Sequence, residues 1–434
     1  MEPSPAAHRP QALLVAGLGV GQMLSFGSSF YLLSVLGEGI AASLHLRPAL
    51  VSSLLSVALL ASAFAATPIG RWIDTRGGKA VLLWASPTFA LGLALIAVAR
   101  GPLSLILGVA VLGVAMALGL YETPYAILAS LYGHSARRPM TGIALLGGLG
   151  STVGLPTTLY LEHAFGWRGA CLAWAAVHLC VCLPITALVT PHVGGRRHED
   201  GPRPLIAWDR GMVQLAVLFA CAWTVSAFVA AHLPRTLEGF GLAHDAAVHA
   251  AALIGVAAVS MRLAEFTVLR KLPPLNTTRV ATLLHPIGAA SLLAFGGAAA
   301  PVMALGQGGG NGMLTVAKGV LPLSLYGPEN YAYRSALLAT PARFAQVAGP
   351  LLFGLILDRS AAAAVIASSV LCLTMFAMTC CLTKQTQGEG DPPPKPRPQP
   401  QPRATPRRAA GSHSYAVYSG ALSPRQYKSD RSPS

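Results

Sequence analysis

Charge is what this chain has least of: only 11% of its 434 residues are Asp, Glu, Lys or Arg, and just 16 are acids. With 53% apolar residues and uncharged runs of roughly 18 to 25 residues, the sequence meets the criterion for transmembrane helices rather than for a soluble core. The apolar/polar alternation of a β-barrel is absent, and backbone exposed to lipid must satisfy its own hydrogen bonds, so helices are the reading for runs this long. All seven cysteines fall in the apolar runs without a CxxC pair, which leaves packing as their role, with a thiol-based metalloid site as the alternative. The glycine run GQGGGNG (Gly306 to Gly312) has no GK[ST] after it, so it is not a phosphate-binding loop; it reads as close helix packing, and no nucleotide-driven pump is indicated. The net charge of +15 is spread over loops and tail instead of one recognition element, which argues against nucleic acid.

What is present is an all-α integral membrane protein. Apolar runs predict spans near 11–36, 47–70, 79–99, 103–126, 139–161, 167–190, 212–233, 246–267, 278–298, 300–324, 335–357 and 361–383, about twelve in all. The opening MEPSPAAHRP is short and polar, and the run Gln11 to Leu36 exceeds a signal-peptide core, so it reads as the first span. Arg9, Arg71, Arg76, Lys79, Arg137, Arg138, Arg196, Arg197, Arg203, Arg210, Arg270, Lys271 and Arg279 fall on one side, against only Arg47, Arg100, Arg168, Arg235 and Arg359 on the other. By the positive-inside rule the basic side is cytoplasmic and both termini lie there. The expected organisation is an N-terminal six-helix half (1–190), a cytoplasmic link (191–211), a C-terminal six-helix half (212–384) and a disordered, basic, proline-rich cytoplasmic tail (385–434). A shift of 194 residues lays SLYG at Ser130 to Gly133 on SLYG at Ser324 to Gly327, and Pro156 on Pro350, as parallel repeats would.

One loop concentrates what little charge there is. In Gly70-Arg-Trp-Ile-Asp74-Thr-Arg76-Gly77-Gly78-Lys79 the spacing resembles the loop signature of the major facilitator superfamily, between the second and third spans where that family carries it. Gly154-Leu155-Pro156 is similar to the family's antiporter-associated motif, with Leu155 where glycine is usual, and Gly166-Trp-Arg-Gly169 and Gly349-Pro350 also look like family features. Gly310 to Gly327 looks like a feature of bacterial members of unassigned substrate. In the second half the corresponding loop, Arg262-Leu-Ala-Glu265 before Leu269-Arg-Lys-Leu, lacks the glycine and aspartate. The resemblance implies a secondary transporter in a bacterial inner membrane, in which two halves rock about a central site. It also implies a gating role for Gly70, Asp74, Arg76, Gly77 and Lys79. Asp74 could accept from a cation or a helix end across the seam, with Arg137, Arg138 and Arg334 as candidate partners, while the glycines allow close approach.

Ionisable residues inside spans are expensive and face a cavity or one another. Glu122 in the fourth span and Lys318 in the tenth stand out, with Arg343 in the eleventh as a candidate for gate or substrate. Gln307, Asn311, Thr315, Lys318 and Pro322 recur at helical spacing, and Gln22, Ser25, Ser29 and Tyr31 offer a second polar set in the first span. The expected translocation and coupling set is therefore Glu122, Asn311, Thr315, Lys318, Arg343 and Gln22, with Glu122 as the proton-coupling acid and Lys318 as its partner or an anion anchor. The alternatives are a snorkelling Lys318 and a structural Glu122 pair. His178, His285, Tyr121, Tyr125 and Trp223 read as packing residues. The function expected is proton-coupled transport of a small organic anion by a monomer in contact with lipid, with no cofactor or metal. Drug efflux is the alternative. A membrane sensor or enzyme is the more distant one, because no acid, base and nucleophile cluster marks a membrane face.

Overall fold

The computed structural model describes residues 11–191 and 206–386. The expectations for residues 1–10, for the link over 192–205 and for the tail from 387 lie outside the described residues. Among the described residues there is no strand. The helices are α1 (Gln11–Gly27), α2 (Leu32–Leu44), α3 (Pro48–Arg76), α4 (Gly78–Ala97), α5 (Pro102–Gly119), α6 (Glu122–Tyr132), α7 (Arg137–Gly147), α8 (Gly150–Val177), α9 (Leu183–Val189), α10 (Arg210–Glu238), α11 (His244–Thr267), α12 (Pro274–Phe295), α13 (Ala300–Tyr326), α14 (Tyr331–Leu357) and α15 (Ala361–Thr386).

Nine continuous helical stretches among these residues are long and apolar enough to cross a bilayer. Two of them take in several predicted spans: Pro102–Val189 covers 103–126, 139–161 and 167–190, and Pro274–Tyr326 covers 278–298 and 300–324. The links inside them stay helical or tighten into 3-10 turns at Gly133–Ala136 and Gly296–Ala299. The fifth and sixth predicted spans are divided by a single residue within α8, Gly166, whose φ of 67° lies in the left-handed region that glycine reaches without a Cβ penalty.

Three predicted spans are broken in a way their apolar pattern did not announce. The first parts at residues 28–31 between α1 and α2, the fourth between Gly119 and Glu122, and the fifth between Gly147 and Gly150. Each break frees backbone groups that lipid cannot satisfy. Side chains meet part of that demand: Gln22 Nε2 donates to the Gly119 carbonyl at 2.6 Å, and the Ser28 and Ser29 hydroxyls donate to the Leu24 and Ser25 carbonyls at 2.8 and 2.5 Å. The same region is crowded, since a Cβ on Gly147 would meet the Tyr121 hydroxyl at 2.5 Å and Gln22 Cβ at 3.1 Å. The breaks in the fourth and fifth spans therefore meet at Gln22.

The glycines of the tenth span do the packing their spacing predicts. A Cβ on Gly308 or Gly312 would run into the α11 backbone at Ile254 and Ala258, and one on Gly306 or Gly310 into the α12 backbone at Leu284 and Ala281. α13 thus seats two neighbours through glycine pairs four residues apart, a small-xxx-small pattern on each face. The buried apolar side chains form two clusters. One is drawn mainly from residues before 190, with Trp174, Phe89 and Tyr125 at its centre. The other is drawn from residues after 211, around Phe228 and Phe353, whose rings stack at 4.3 Å. Large apolar side chains such as Leu103, Phe64 and Leu351 point outward, as lipid-facing positions do. α10 opens on Asp209, whose carboxylate caps the Met212 amide at 2.7 Å and also accepts from the Tyr326 hydroxyl at 2.7 Å.

Candidate translocation cavity and gate

The break in the fourth span places Glu122 in the first turn of α6, where an acid complements the positive helix end. Its Oε1 lies 3.2 Å from Arg343 Nη2 on α14, and Arg343 Nη1 donates to the Ser62 carbonyl of α3 at 2.9 Å. One guanidinium thus ties α6, α14 and α3 together. Beside this pair lies a small cavity of about 30 Å³, in part open to solvent, walled by Tyr121, Tyr125, Trp223, Tyr331, Glu122 and Lys318 among others. Lys318 Nζ sits 4.3 Å from the Trp223 ring centroid and 5.1 Å from that of Tyr121. Among the described residues it has no carboxylate within salt-bridge distance, so the aromatic faces hold its charge.

Tyr331 donates to the Gly319 carbonyl at 2.8 Å, whereas the buried Tyr125 hydroxyl has no partner. Arg262 of α11 reaches the same region. It donates to Thr315 Oγ1 at 3.3 Å, its guanidinium lies against Gly148, and its buried Nε has no acceptor. It is within electrostatic reach of Lys318, Tyr121 and Tyr125. Three cations, Lys318, Arg343 and Arg262, therefore stand against one carboxylate, Glu122.

At one end of the helices the charged loop meets α14. Asp74 Oδ2 accepts from the Tyr333 amide at 2.8 Å and Oδ1 from the Ala332 amide at 3.3 Å, so the acid caps a helix N-terminus across the seam. A Cβ on Gly70 would meet Ala336 Cβ at 2.7 Å and the Ala332 carbonyl at 2.8 Å, which only glycine avoids. Arg71 donates to the Tyr333 hydroxyl at 2.6 Å and lies over its ring. Gly77 ends α3 at a φ of 86°. Nearby, Arg137 of α7 grips the end of α11: it pairs with Glu265 at 2.5 Å and donates to the carbonyls of Leu269, Arg270 and Leu272.

Several predicted roles come out differently. Of the two partners left open for Asp74, its hydrogen bonds go to the helix end, whereas the candidate cations bond elsewhere: Arg334, within electrostatic reach of Asp74, to the Tyr326 carbonyl and ring, Arg137 to Glu265 and Arg138 to the Phe266 ring. Lys79 Nζ donates to the Ala187 carbonyl of α9 instead of crossing to α14, and Arg76 is exposed. Glu122 makes its contact with Arg343, leaving Lys318 to the rings. The polar stripe of the tenth span divides, because Gln307 bonds His285 at 2.6 Å while Thr315 faces Arg262. Asn311 accepts from Ser226 and Gln22 donates to the Gly119 carbonyl, and neither is among the residues that wall the cavity. Tyr121, Tyr125 and Trp223 wall the cavity as well as pack.

A family model described as Major Facilitator Superfamily matches residues 18–317. The chain belongs to the major facilitator superfamily. Family membership supports membrane transport rather than enzyme chemistry. Over 182 residues the chain is 34% identical to mouse (Mus musculus) monocarboxylate transporter 11, a match that covers 42% of this chain and only 38% of that relative. Among solved structures, 86% of the chain superposes on all of the human organic anion transporter MFSD10 (TETRAN), with a TM-score of 0.65 at 17% identity. It superposes with a TM-score of 0.70 at 13% identity on 98% of the Escherichia coli fucose:proton symporter FucP, again over 86% of this chain. At these identities the superpositions speak for the fold.

Within this family framework, sequence reasoning missed Arg262 and Glu265, which it had counted with the degenerate loop of the second half. Both lie inside the predicted span 246–267 and are buried, at 8% and 2% exposure. The rule that singled out Glu122 and Lys318 applies to them equally.

Proposed function

We propose that this protein is a secondary transporter that moves a small organic anion across a bacterial inner membrane by alternating access, coupled to protons through Glu122. The observation that carries this reading is the cavity walled by Lys318 and Glu122, with Arg343 paired to that acid from behind and Arg262 within electrostatic reach of Lys318. An arriving anion competes with Glu122 for the cations. Released from Arg343 in a low-dielectric site, the acid gains a proton, and this links substrate to proton. The mouse relative and the human structure, by their names a monocarboxylate and an organic anion transporter, agree in substrate charge. Drug efflux fits less well, because Lys318 already fills the place over Trp223 and Tyr121 that a cationic drug would take.

In this reading the two sets of helices, one either side of the 191–211 link, rock about the cavity, and the basic face is cytoplasmic. The Asp74 cap on α14 and the Arg137 grip on α11 close that face, so the arrangement is the outward-facing one. The coupling test is proton flux in proteoliposomes of the purified protein with a pH dye inside, against organic anions, sugars, amino acids and cationic drugs. Wild type acidifies with one anion. Glu122→Gln abolishes proton movement while the protein still folds, and Lys318→Ala cuts anion carriage. Anion uptake without protons, or flux untouched by Glu122→Gln, removes the coupling role.

A further inference from the structure

The charges in and beside the cavity suggest more than a preference for anions. Lys318, Arg343 and Arg262 carry three positive charges and Glu122 answers one of them, so two cations stand uncompensated. Arg343 is the one that is engaged, with Glu122 and the Ser62 carbonyl. Lys318 and Arg262 have no carboxylate within salt-bridge distance among the described residues, and the buried Nε of Arg262 has no acceptor. Unpaired charges held out of water are costly, and a protein keeps them where a ligand completes the pairing.

Their placement is also defined. Arg262 is anchored on Thr315, and Lys318 follows Thr315 by three residues, on the same side of α13. Tyr121 adjoins both cations. Lys318 Nζ is 5.1 Å from its ring centroid, and its hydroxyl rests against Gly147, next to the Gly148 that faces the Arg262 guanidinium. The buried Tyr125 hydroxyl, on the same wall and without a partner, is a further donor for an oxygen-rich ligand.

We propose that the substrate is a short dicarboxylate, held with one carboxylate on Lys318 and the other on Arg262. A short diacid is chosen because Arg262 and Lys318 rise from α11 and α13, which pack in contact at Gly308 and Gly312. The proposal rests on the reading of the cavity as an anion site and narrows it from one acidic group to two.

The experiment is equilibrium binding to the full-length protein in lipid nanodiscs, followed by intrinsic tryptophan fluorescence. The probes are succinate, its monoamide succinamate, butyrate and, as a cation, tetraphenylphosphonium. Succinate should bind at least about tenfold tighter than succinamate, as the loss of one charge-assisted pair predicts. Arg262→Gln should bring succinate down to the affinity of succinamate while leaving succinamate itself little changed, and Arg262→Lys should restore part of the difference. Equal binding of succinate and succinamate to wild type overturns the proposal, and so does a diacid preference that survives Arg262→Gln. The wild-type comparison decides by itself if Arg262→Gln does not fold. Binding of the monoanions without diacid preference would leave the anion reading standing. Binding of tetraphenylphosphonium with none of the anions would remove that reading together with the proposal.

Discussion

At the scale of the residue, the site depends on glycines that make room for charge. The Arg262 guanidinium lies against Gly148, so Gly148→Ala must push it off Thr315. We expect Gly148→Ala to weaken anion binding by about tenfold, the scale of one charge-assisted contact, with the protein still folded. Titration of the purified variant beside wild type checks this, and unchanged affinity would detach Arg262 from the site. His285 shows the opposite case. Both of its ring nitrogens are engaged, with Gln307 at 2.6 Å and Ser368 at 2.9 Å, in a buried setting. A lone histidine in an apolar run was legible as a satisfied packing residue, because a buried polar ring must find partners. What the sequence could not supply was that Gln307 would be one of them and so leave the polar stripe.

At the scale of the element, the contact between α3 and α14 is the place to perturb. Asp74 caps α14, and Gly70 lets the two helices touch. Losing a cap of this kind costs roughly 1 to 2 kcal/mol, which alters a closed-to-open ratio by about 5- to 30-fold. Asp74→Ala should therefore open this face more often. In a background carrying Ala336→Cys, which lies buried in the seam, labelling by a maleimide applied from that face should speed up by about that factor. Gly70→Leu should act in the same direction and more strongly, since the added side chain meets backbone as well as Ala336. A labelling rate unmoved by either change would mean that this contact does not hold the face closed. The loop motif was readable because its charges were few and tightly spaced. Asp74's choice of a helix end over a cation was open in the sequence, since both are donors of the right sign.

At the scale of the whole molecule, the distribution of basic residues makes a topological prediction. Arg76, exposed at the face closed by Asp74, should be cytoplasmic. A Cys substituted for Arg76 in intact cells should resist an impermeant maleimide and react once the membrane is permeabilised. Immediate labelling would invert the orientation and with it the assignment of the latched face as the inner one. The same scale shows how the cavity forms. Residues from α6, α10, α13 and α14 meet there, drawn from positions as distant as Tyr121 and Ser335, and Arg262 of α11 adjoins them.

The sequence by itself determined that the chain is helical and lipid-embedded, that it belongs with the major facilitator proteins, and that Glu122, Lys318 and Arg343 are the charges to watch. These follow from composition, run length and the price of charge in a membrane, which are properties of each segment taken alone. Only the tertiary structure decided who pairs with whom. It gave Glu122 to Arg343, left Lys318 to the rings of Trp223 and Tyr121, and brought Arg262 beside them. It also broke three spans near the cavity, because a break inside a membrane is tolerated only where side chains from other helices, such as Gln22 at Gly119, satisfy the freed backbone. Such partners are distant in sequence, and no local pattern records them.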